Sequence, residues 1–287
     1  MPHAELQLLS HPYDRLSELQ PHRDALRDAA RIPGSAVLWT LDSGRYAETR
    51  RLLERRPGGL ALIVLLPDAD RIEDDPNLLH AVQRCRPHGL LPRHEGVQAS
   101  DIAEALRRPP LDLPVEVTDY LAWRGLKVDR DTTRLLRRIL ELSSELRSVS
   151  ALSRSLYLSR RALGRRLMTR GLPVPSHWLQ FGRLLRLSTT LQNSEANIAS
   201  IAYDFGYPDG FSLSNQMQRL IGLRPSQVRE CLGWEWILET WLRREADEGG
   251  LAPSGAREIR QGERAYPGKP ASIPRPRRGR HKKKSKV

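Results

Sequence analysis

The sequence predicts an α/β N-terminal domain with a small parallel sheet, an all-α C-terminal domain carrying two helix-turn-helix units, and a disordered basic tail. Three observations carry this prediction. Short runs that are apolar throughout alternate with helical patterns in the first 110 residues, as strands covered on both faces of a parallel sheet do. A second pattern occurs twice, at 149–171 and 198–222: a short apolar-periodic helix, a tight turn, a helix-starting polar residue and a second helix closed by Gly. Charge is also unevenly spread. Of the formal net charge of +13, residues 1–149 carry −1, 150–230 carry +7, 231–253 carry −3 and 254–287 carry +10. The excess lies on the repeated unit and the tail, where a polyanion would bind.

In the front half, strands are expected at 5–9, 36–41, 60–66 and 89–91, with helices at 13–31, 46–56, 77–86 and 100–108. The longest apolar run, LALIVLL at 60–66, is far too short to span a bilayer. The N-terminus has neither the basic start nor the apolar stretch of a leader peptide. Pro109, Pro110 and Pro114 close the unit. The expected division is a 1–115 regulatory or interaction domain, a 116–128 linker, a 129–246 helical domain and a 247–287 tail of Gly, Pro and charge without apolar period. Cys85 and Cys231 are the only cysteines and form no CxxC pair, which excludes a disulfide scaffold and a multi-cysteine zinc site and fits a reducing compartment.

The back half opens with a helix from Asp129, whose Leu135, Leu136, Ile139, Leu142 and Leu146 share one face. Ser159 and Asp209 are placed to accept from free backbone donors at the start of each second helix, and Gly171 and Gly222 to end them in the left-handed conformation. A long helix at 176–192 separates the two units as a rigid spacer. A Trp-rich helix with Trp234, Trp236 and Trp241 follows and packs on the domain. In the first unit Leu163 and Leu167 point inward, leaving Arg160, Arg161, Gly164 and Arg165 outside. Arg161 and Arg165 lie one turn apart, and Arg suits bidentate contact with guanine. In the second unit Leu213, Met217 and Leu220 point inward, with Ser212, Asn215, Gln216 and Arg219 as the polar set.

Residues 129–229 resemble the DNA-binding domain of AraC/XylS-type regulators, most specifically through Ile201-Ala202, Gly206-Tyr207, Leu213, Met217, Gly222, Pro225-Ser226 and Arg229. Leu213 and Met217 replace aromatics of the family pattern, a volume-tolerant apolar change. The first unit departs further, with Ser153 and Tyr157 where relatives have Ala and Gly. A Tyr at a turn position favouring positive φ costs about 1 kcal/mol or more, so the first turn is expected to differ in geometry. The resemblance implies base contact by Arg161 and Arg165. Residues 60–108 resemble, more weakly, the last third of a response-regulator receiver domain, through ALIVLLPDAD, HGLLPRH and SDIAEALRR in that order. Asp42 and Asp68 lack the paired acidic residues a receiver's magnesium site requires, and Arg93 followed by His94 stands where a receiver has Lys and Pro. A degenerate, non-phosphorylated fold is therefore expected.

Together these readings imply a sequence-specific DNA-binding transcription regulator. Two second helices held about one DNA turn apart, roughly 34 Å, would let it read two adjacent major-groove segments. The expected DNA contacts are Ser159, Arg160, Arg161, Arg165, Ser212, Asn215, Gln216 and Arg219. No phosphate-binding loop, nucleophile elbow, HExxH or dinucleotide fingerprint is present, and His80, His88 and His94 have no Cys or acidic partner at metal-ligand spacing. No catalysis, cofactor or metal is expected. Expected partners are double-stranded DNA, RNA polymerase and, at the N-terminal domain, a small-molecule effector or protein; a homodimer is left open and no membrane is involved. The expected location is cytoplasmic, on the nucleoid. The alternative is an architectural, nucleoid-associated binder dominated by the tail's salt-sensitive attraction to phosphates.

Overall fold

A computed structural model describes residues 5–41, 46–68, 77–93, 97–126 and 128–260. Asp42, His94 and the part of the expected tail beyond Arg260 lie outside the described residues.

The front half is a five-stranded sheet in the order β2-β1-β3-β4-β5, formed by β1 Leu6–Leu9, β2 Leu16–Glu18, β3 Ala36–Thr40, β4 Ala61–Leu66 and β5 Gly89–Pro92. Strands β3, β4 and β5 are parallel, with Val37 opposite Leu62 and Val64 opposite Leu90. Strand β1 runs antiparallel to β2 and to β3, so the sheet is mixed rather than parallel. The cause is local. Residues 16–18, expected inside a helix, turn back as an edge strand, and α1 begins only at Arg23–Ala30, where His22 Nδ1 accepts from the Ala25 amide. A reversed β1 also departs from the parallel sheet of a receiver. Helices α1, α2 (Ala47–Leu53) and α3 (Leu78–Arg84) cover one face, and α4 (Ala99–Arg107) covers the other. The period of two sorts the strands: Val37, Trp39, Leu62 and Val64 meet the first layer, while Ala36, Leu38, Ala61 and Ile63 meet the second.

The back half is helical: α5 Leu113–Trp123, α6 Arg130–Leu142, α7 Val149–Ser155, α8 Arg160–Met168, α9 Pro175–Gln192, α10 Ile198–Asp204, α11 Gly210–Ile221, α12 Pro225–Glu230, α13 Trp234–Glu248 and α14 Pro253–Arg260. One continuous core runs through it from Leu113 to Ile259. Trp241 of α13 stacks on Phe181 of α9 at 4.1 Å between ring centres and meets Trp178 edge-on at 4.7 Å. The segment 116–128, expected as a linker, is largely α5. Pro114 sits in the first turn, where a missing N–H costs nothing, so a residue read as a boundary starts a helix. The stretch after 247 likewise continues as α14, with Ala256 and Ile259 buried.

The two halves meet in a seam of buried charge. Glu239 of α13 takes both guanidinium arms of Arg124 at 2.8 Å, together with the Tyr120 hydroxyl at 2.8 Å. Tyr120 in turn accepts from the Gly59 amide of the front half at 2.9 Å. Burial pushes the Glu239 carboxyl up, but Arg124, Arg243 and Tyr120 outweigh it and hold the group below its ordinary value. Arg86 pairs with Glu235 and Glu116, and Arg56 lies over the Trp123 ring at 4.7 Å. Tyr13 donates to the Gly34 carbonyl and accepts from the Leu232 amide at 3.1 Å.

His88 belongs to the same seam. Its Nδ1 accepts from the Leu62 amide, which leaves the proton of the neutral ring on Nε2, facing Glu235 at 3.4 Å. Burial opposes a second proton, and the Arg56 and Arg86 charges add to it, so the pKa falls to about 3. Below an unfolded value near 6.5 the unfolded chain binds a proton that the folded chain refuses. Stability should therefore fall from about pH 6.5 towards pH 3, by up to about 1.4 kcal/mol per pH unit from this group. Denaturant midpoints across that range should fall less steeply for His88→Asn. Identical slopes in the two proteins would contradict this account.

Candidate nucleic-acid interface

The two helix-turn-helix units are built alike. In the first, the Tyr157 amide donates to Arg154 O at 3.0 Å and the Leu158 amide to Ser153 O at 2.9 Å. In the second, Gly206 donates to Tyr203 O at 2.8 Å and Tyr207 to Ala202 O at 2.9 Å. Both turns pass through positive φ, 52° at Tyr157 and 76° at Gly206. The expected difference in the first turn is thus absent: Tyr157 adopts the left-handed conformation that Gly206 adopts freely. Ser153 fits where Ala202 sits because it is buried with its hydroxyl donating to Ser150 O at 3.0 Å.

Tyr157 is 97% exposed and so gains no burial to offset its backbone. Tyr157→Gly should stabilise the protein by up to about 1 kcal/mol, the left-handed cost less the entropy Gly adds to the unfolded chain. Denaturant unfolding reads this directly. A loss of stability would mean that the ring makes a contact that this structure does not contain.

Each second helix starts as its sequence requires. Ser159 accepts from the Ala162 amide at 3.1 Å and Asp209 from the Ser212 amide at 2.6 Å. These backbone and side-chain bonds to Ser212, despite a small opposing effect of desolvation, hold the Asp209 carboxyl below its ordinary value. Gly171 and Gly222 end the units at φ 69° and 72°. Inward positions Leu163, Leu167, Leu213 and Met217 are fully buried.

The polar faces differ in freedom. Arg160, Arg161 and Arg165 are exposed and make no ion pair among the described residues. On α11, Asn215 is exposed, whereas Gln216 and Arg219 are tied to one another and to Gln180 of α9 at 3.0–3.3 Å. Ser212 serves the cap of its own helix. The eight expected residues therefore form two groups, one on α8 with free guanidinium groups and one on α11 partly held by the spacer. The pattern reading passed over Phe211, which is 74% exposed and one turn before Asn215. An aromatic on the polar side of an amphipathic helix was the signal available.

The units are held together by α9, an 18-residue helix of roughly 27 Å that packs against α7, α8, α10 and α12. Two cations add to this. Arg147, just before the first unit, donates to Gly206 O in the second turn at 3.3 Å, and Arg183 of α9 lies over the Tyr207 ring at 5.2 Å.

Among the described residues no group of three His, Cys, Asp or Glu side chains could hold a metal, and no helix is long and apolar enough to cross a membrane. No curated protein and no solved structure matches the chain. Residues 152–230 match a family model described as a helix-turn-helix domain, of the AraC type, from within the first helix of the first unit through the whole of the second; residues before 152, including the receiver-like stretch, lie outside that match. With two equivalent turns, two capped second helices and this match in place, residues 152–230 form a helix-turn-helix domain of the AraC type, the kind of domain that sequence-specific DNA-binding transcription regulators carry.

Proposed function

We propose that α8 and α11 enter two adjacent major-groove segments on one face of a DNA duplex. Ser159, Arg160, Arg161 and Arg165 would meet one segment, and Ser212, Asn215, Gln216 and Arg219 the other. The observation that supports this reading most is the equivalence of the two turns, which presents both helices with the same entry geometry. Arg161 and Arg165 read bases, with guanine as the natural partner. Asn215 suits adenine, and Phe211 beside it suits a thymine methyl. Gln216 and Arg219 must exchange their bonds to Gln180 for DNA, so they rank below the α8 arginines as readers. The N-terminal domain acts without catalysis and adjusts DNA binding or contact with RNA polymerase through the seam.

Selection of genomic fragments with the full chain at about 150 mM salt tests this. The expected product is one asymmetric motif with two boxes about one helical turn apart, roughly 34 Å. A chain ending at Arg260 should recover the same motif. Truncation belongs there, not at 254, because Arg124 donates to Ile259 O and Ile259 is buried. Removing 261–287, which takes ten Lys and Arg with it, should weaken binding to all sequences and flatten its salt dependence. Recovery without a motif that collapses on truncation would instead favour the architectural reading.

A further inference from the structure

We infer that a cleft between the two halves binds a small organic phosphate. The cleft has a volume of about 670 Å³, within the range of small-ligand sites. Six arginines and three glutamates line it. Arg23 and Arg27 stand one turn apart on α1; Arg51 on α2 and Arg55 just beyond it repeat that spacing on a second element of the lining. Arg27 pairs with Asp24 at 3.0 Å, but Arg23, Arg51 and Arg55 make no ion pair among the described residues. Two rows of like charge lining one cleft repel one another unless an anion bridges them, and forked guanidinium groups fit phosphate oxygens best.

The deeper wall is different in kind. Leu52 and Trp123, both partly exposed, supply apolar surface beside the arginines, with the buried Leu26 and Pro57 behind them. Bare inorganic phosphate would leave that surface unused, whereas a phosphorylated molecule with a planar or apolar body would cover it. Arg56 at the base is spent on the Leu60, Cys85 and Arg86 carbonyls, so it contributes charge rather than free donors.

The site's position gives it a consequence, which rests on the proposed regulatory role of the N-terminal domain. Trp123, Arg124 and Glu258 of the helical half form part of the lining. Arg124 holds Glu239 on α13, and Arg244 of the same helix donates to Gln218 O at the end of α11. An occupant of the cleft thus touches the packing that seats the second recognition helix.

Calorimetric titration of the full chain with adenosine diphosphate, pyrophosphate and adenosine tests the site. Adenosine diphosphate should bind, with pyrophosphate at least about tenfold weaker and adenosine weaker still. Arg51→Glu with Arg55→Glu should weaken adenosine diphosphate by at least about tenfold, while specific DNA binding without nucleotide persists and shows the variant folded. Arg161→Ala with Arg165→Ala should leave nucleotide binding unchanged, which separates the cleft from the DNA face. Absence of binding, or binding insensitive to the Arg51 and Arg55 changes, overturns the site and leaves the regulatory reading standing. Equal affinity for pyrophosphate overturns the organic part of the inference. Binding that obeys the variants yet leaves DNA affinity unmoved keeps the site and overturns its regulatory role.

Discussion

An Arg161→Ala, Arg165→Ala double variant should lose about 2–6 kcal/mol on a specific site, each bidentate base contact contributing about 1–3 kcal/mol. Loss on random DNA should be much smaller. Both side chains project from the outer face of α8, one turn apart, while Leu163 and Leu167 anchor the inner face in the core. Neither guanidinium is engaged in an ion pair among the described residues, so binding DNA breaks no existing pair. Removal of exposed side chains also leaves the fold intact, so the effect reads as recognition alone. Titration against the selected motif and a scrambled duplex, at one salt concentration, decides the matter. Equal losses on both duplexes would reduce the pair to phosphate contacts.

Replacing Glu239 by alanine should destabilise the protein by about 3–5 kcal/mol, the cost of leaving a buried partner charge uncompensated. Glu239 is 1% exposed, and its carboxylate accepts from Arg124 twice, from Arg243 and from Tyr120. Truncation takes from the Arg124 guanidinium its carboxylate, while its bond to Ile259 O stays, and takes from the Tyr120 hydroxyl proton its acceptor. Because the folded carboxyl titrates below its ordinary value, its stabilising contribution is present above the unfolded value near 4.5 and is lost as pH falls through the folded one. Denaturant unfolding of the full chain near pH 7 should show the whole loss. A change under about 1 kcal/mol would mean that water reaches the site and that the seam is softer than its burial implies. Arg124→Met paired with Glu239→Met should be far milder than replacing Glu239 alone, since the Arg124 charge goes with its carboxylate and Arg243, 30% exposed, keeps access to water.

Local chemistry was legible from residue order. Strands β3 and β4 announce themselves as apolar runs, and α6 through its leucine spacing, because burial on two faces or on one stripe requires those patterns. Ser159, Asp209, Gly171 and Gly222 were readable because caps and left-handed residues are decided within a few positions. The same local logic misled where context overruled it. Residues 16–18 have no strong strand pattern, and only pairing with β1 makes them a strand. Pro114 looked like punctuation, yet a proline in a first turn is compatible with helix, and burial of Val117 and Leu121 completes it. Tyr157 predicts a different turn, but the helices on either side set the turn and the residue takes the strain.

The two recognition helices, their polar faces and the basic balance of their segment follow from the sequence, since each rests on contacts within a dozen residues. What needed the tertiary structure is how the halves join. Arg86 and Glu235 lie 149 positions apart, Tyr120 and Glu239 lie 119 apart, and nothing local marks either pair as partners. A charged residue in sequence reads as solvated surface; only the packing of α13 against α5 and the Pro57-Gly58-Gly59 loop removes water from Glu239 and makes it structural. Packing of α1 and α2 on one face of the sheet likewise brings two arginine pairs to the lining of one cleft, a juxtaposition that exists in space and not along the chain.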